Sequence, residues 1–75
     1  MKNSIYWQIY QDIFQLHKKY FVFTSNDDKY WGDFIHDSGI IYKKYENTKE
    51  FGFTKNLLMA LTDELERIYK EVQKK

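Results

Sequence analysis

The chain has 75 residues, 43% of them hydrophobic and 31% charged, with a formal net charge of +1. That length allows a single domain. The absence of Cys excludes disulfides and Cys-based zinc sites, and the near balance of charge gives no general argument for nucleic acid or an anionic membrane.

A small domain without staples needs dense packing. Seven Tyr, six Phe and two Trp supply the means, because each ring buries a large apolar area. There is no Pro, and Gly occurs only at 32, 39 and 52, which suits long helices. The opening stretch MKNSIYWQIYQDIF lacks the small-residue apolar run and cleavage site of a secretory signal. No apolar stretch approaches the roughly 20 residues of a membrane span. The cytoplasm is the expected location.

The first predicted helix covers about 4–20. Ser4 is placed to cap it. Ile5, Ile9, Ile13, Leu16 and Tyr20 recur at spacings of three and four and form one apolar face, with Tyr6 at its edge. Lys18 and Lys19 fall in the last turn, where cations offset the helix dipole. Trp7, Tyr10 and Phe14 form a second stripe roughly opposite the isoleucines, continued by Lys18. One apolar face suffices for a helix in a bundle. Either the YFVF segment at 20–23 and the tail of the third helix fold over this stripe, or it is exposed. An exposed apolar stripe marks a protein partner or self-association.

The second helix is expected over about 26–45, after the capping residues Thr24, Ser25 and Asn26. Asp27 and Asp28 add negative charge to its first turn. Tyr30, Trp31, Phe34, Ser38, Ile41, Tyr42 and Tyr45 share one face; Lys29, Asp33, His36, Asp37, Lys43 and Lys44 take the other. Gly32 and Gly39 lie on one side of this helix. They imply either the close approach of a neighbouring helix or a break at Gly39.

The third helix is expected over about 53–73, with a stripe of Leu57, Leu58, Leu61, Leu65, Ile68, Tyr69 and Val72. Asp63–Arg67, Glu66–Lys70 and Glu71–Lys75 are acid-first pairs four residues apart. Two starts are open: a capping box of Asn47 with Glu50, or Thr54 as N-cap with a Phe53–Leu58 staple. Three amphipathic helices with short connections predict an all-α, compact three-helix bundle. The alternative for 20–23 and 51–53 is a short strand-like contact between FVF and FGF.

Lys-Lys-Tyr occurs twice, at 18–20 and 43–45, each time followed by a Phe-x-Phe-Thr. A duplicated unit predicts further matching residues, and none stands out. The repetition reads as similar demands met twice, lysines on the helix end and tyrosine closing the apolar stripe.

Chemical sites are poorly supported. Asp33, His36 and Asp37 gather on one helix face, which reads as a solvated polar face and not as a metal site. There is no HExxH, and NDDKYWG misses the alternate-position spacing of a calcium loop. His36, Asp37 and Ser38 are consecutive, so on a helix they point about 100° apart and do not converge as a catalytic set. No cofactor motif is present and no enzyme is expected. The leading expectation is a non-enzymatic protein-interaction domain working through Trp7, Tyr10, Phe14 and Lys18. The alternative is a weak single-stranded nucleic-acid binder using Lys18, Lys19, Lys43 and Lys44 beside stacking aromatics. The single Arg and the carboxylates near each lysine pair weigh against it.

DKYWGDFI leading to IYKKY, then a phenylalanine-led segment ending in LLMALTDELERIYK, resembles a family of small uncharacterised proteins of Gram-positive bacteria. Its members are often carried on mobile elements such as conjugative transposons and phages. The resemblance covers about Tyr6 to Lys70 and rests on packing and helix-surface residues. It implies a cytoplasmic accessory protein and an all-helical domain, and it carries no catalytic residue to this chain.

Overall fold

The computed structural model describes residues 4–22 and 27–73. The chain is an all-α three-helix bundle: α1 Ile5–Tyr20, α2 Asp27–Tyr45 and α3 Phe51–Gln73, each packed on the other two. The bundle is a rod of 43 × 20 × 17 Å.

Ser4 caps α1, its Oγ accepting from the Trp7 amide at 3.3 Å. The residues expected to cap α2, Thr24 to Asn26, lie outside the described residues. α2 runs unbroken through Gly39, so the expected break is absent. Close approach is not the reason for the glycines either, because a Cβ built at Gly32 or Gly39 meets nothing within 4 Å. Gly32→Ala and Gly39→Ala should therefore each stabilise the fold by about 0.5–1 kcal/mol, through the lost freedom of the unfolded chain. Urea unfolding measures this; a loss of stability means the space is needed.

α3 begins two residues earlier than expected, at Phe51, and neither proposed cap is used. The Thr54 amide donates to the Glu50 carbonyl at 3.0 Å, closing the first helical turn. The Thr54 side chain is fully buried and donates to that same carbonyl at 3.1 Å. The hydroxyl thus serves inside the helix, as Ser and Thr can. Phe51–Phe53 is consequently helical and forms no strand; Phe23 lies outside the described residues.

The core unites Ile9, Leu16 and Tyr20 of α1 with Tyr30, Phe34, Ile41 and Tyr45 of α2 and Leu58, Leu61 and Leu65 of α3. Rings meet edge to face through it: Tyr20 lies 5.4 Å from Tyr30 and 5.3 Å from Phe34, and Trp31 lies 5.9 Å from Phe34 and 5.7 Å from Tyr69. This is the favoured geometry for ring quadrupoles. Tyr42 and Val72, expected on core faces, are exposed. Arg67 pairs with Glu64 at 2.7 Å and Glu71 at 2.8 Å and not with Asp63. Among the described residues no ion pair joins Glu66 to Lys70, and Lys75 lies outside them.

Candidate interaction surfaces

The outward stripe of α1 is open to solvent. Trp7 is 43% exposed, Tyr10 51%, Phe14 62% and the next ring, Phe21, 64%. Lys18 is exposed as well. α3 covers the stripe only at its edge, where Phe53 meets Tyr6 and Tyr10 edge-on at 5.3 and 5.7 Å. The tail of α3 does not fold over it, since Val72 is itself exposed. Phe14, His17, Lys18 and Phe21 line an open, almost wholly apolar groove of about 290 Å³. The structure thus brings Phe14 and Lys18 together and leaves Trp7 near the other end of the same face.

The four lysines of the nucleic-acid alternative separate into two kinds. Lys18 and Lys43 are exposed. Lys19 and Lys44 are held by carboxylates of the opposite helix. Asp37 Oδ2 accepts from Lys19 Nζ at 2.7 Å and from the Tyr20 hydroxyl at 2.5 Å. Asp12 Oδ2 accepts from Lys44 Nζ at 2.9 Å and from the Tyr45 hydroxyl at 2.6 Å. In each group the lysine also lies 5.4 Å from its neighbouring Tyr ring. Each Lys-Tyr at a helix end thus clasps an Asp in the middle of the other helix, which the antiparallel run of α1 and α2 makes possible.

The electrostatics follow. Hydrogen bonds from Lys19 and Tyr20 hold the Asp37 carboxyl below its usual range. Asp37 raises Lys19, and Asp12 raises Lys44. Burial, aided by the adjoining carboxylate, pushes the Tyr20 and Tyr45 phenols up.

This corrects the expectation that the repetition stops at Lys-Lys-Tyr. Ile9 and Phe34, Asp12 and Asp37, Leu16 and Ile41, Lys19 and Lys44, and Tyr20 and Tyr45 are all 25 residues apart. The signal was present as Asp-x6-Lys-Tyr, written once in each helix. It also revises the role given to the second lysine of each pair, which faces a carboxylate as well as the helix end.

His36, Asp37 and Ser38 do not act together: Asp37 is engaged by α1, and the Ser38 hydroxyl donates to the Ile35 carbonyl at 3.1 Å. Asp33 is paired with Lys29 at 2.8 Å. Among the described residues no three His, Cys, Asp or Glu side chains are grouped to hold a metal ion, and no helix is long and apolar enough to cross a membrane.

A second surface was not expected. Ile35, Gly39 and Tyr42 of α2 and Met59 of α3 line an open, mainly apolar groove of about 350 Å³. Its signal was the seven-residue spacing of Ile35 and Tyr42 with the small Ser38 and Gly39 between them. No protein-family model, curated protein or solved structure matches this chain.

Proposed function

We propose that this chain is a non-enzymatic protein-interaction domain whose contact face is the outward side of α1. The observation that carries it is the solvent exposure of Trp7, Tyr10, Phe14 and Phe21 along one helix whose other side already completes the core. Contiguous apolar surface rimmed by polar groups is characteristic of binding faces, and rings are over-represented among the residues that dominate interface energies. Lys18 supplies a charged rim. The rival reading, single-strand nucleic-acid binding through Lys18, Lys19, Lys43 and Lys44, loses two of its four cations to Asp37 and Asp12. The resemblance to small proteins of Gram-positive mobile elements extends the reading to a cytoplasmic accessory role.

The test is affinity capture from the native host with the wild-type chain and with Trp7→Ser/Phe14→Ser. The double variant should lose the partner while its circular-dichroism spectrum and cooperative melting are kept. Unfolding of the variant means that these rings are core and that the contact face is elsewhere. Quenching of Trp7 or Trp31 by an oligonucleotide at low salt supports the rival.

A further inference from the structure

We draw no further inference here: the strongest candidate, the open apolar groove between α2 and α3 lined by Ile35, Gly39, Tyr42 and Met59, is an unpartnered surface, and nothing in the structure shows what covers it.

Discussion

Phe34→Ala should destabilise the domain by about 3–5 kcal/mol, the range for removing a buried ring and leaving a cavity. Phe34 is only 2% exposed and sits at the centre of the ring cluster, against Tyr20 on one side and Trp31 on the other. Its loss therefore removes two edge-to-face contacts as well as buried area. A chain of this length has a total stability of roughly 4–11 kcal/mol at 0.05–0.15 kcal/mol per residue. The variant should be largely unfolded or melt far below the wild type. Guanidinium unfolding followed by Trp fluorescence measures it, since Trp31 is itself a contact of Phe34. A cost below about 1 kcal/mol would show that the cluster is loosely packed and that the core described above does not hold the bundle together.

Removing the two shared carboxylates is the other large effect. Asp37→Ala leaves the Tyr20 hydroxyl and Lys19 without their acceptor, and Asp12→Ala does the same to Tyr45 and Lys44. Tyr20 and Tyr45 are both buried. A buried donor stripped of its partner costs about 1–3 kcal/mol, and the lysines add little because their heads are solvated. The two clasps lie about two turns apart on each helix, roughly 10 Å at 1.5 Å per residue. Their costs should therefore add in Asp12→Ala/Asp37→Ala, to about 2–6 kcal/mol. Asp37→Asn should recover part of the loss, since its amide oxygen still accepts from Tyr20.

The same groups set the pH response. Asp37 is depressed in the folded state, so its contribution is present above the ordinary carboxylate value of about 4 and is lost as pH falls through the folded value. Acid should destabilise the wild type more steeply than Asp37→Ala. Tyr20 and Tyr45 are raised, so their contribution is full below the ordinary phenol value of about 10 and erodes as pH climbs past it. Equilibrium unfolding at several pH values checks both arms; equal acid slopes in wild type and Asp37→Ala would refute the carboxylate's role.

The helices were legible because periodicity alone marks them: Ile9, Leu16 and Tyr20 recur at spacings of seven and four, Leu58, Leu61 and Leu65 at three and four, and all are buried. Ser4 was legible because a capping residue directly before an apolar stripe has one obvious use. Thr54 was misread because the same hydroxyl can cap a helix or bond back within it, and local sequence does not distinguish the two. The clasps escaped because their partners lie 17 and 33 residues apart, beyond any helical period. As for Trp7 and Phe14, spacing shows that α1 has two apolar sides, while only the path of α3 decides which one stays open.

The twin Asp–Tyr clasps bear on how firmly α1 and α2 are registered. Two stripes of rings and branched side chains tolerate slippage, because one turn along, another apolar surface is waiting. A slip of one turn would carry both carboxylates beyond reach of their phenols at the same moment, so the penalty arrives all at once. The pair is thereby confined to a single alignment where greasy surfaces alone would permit several.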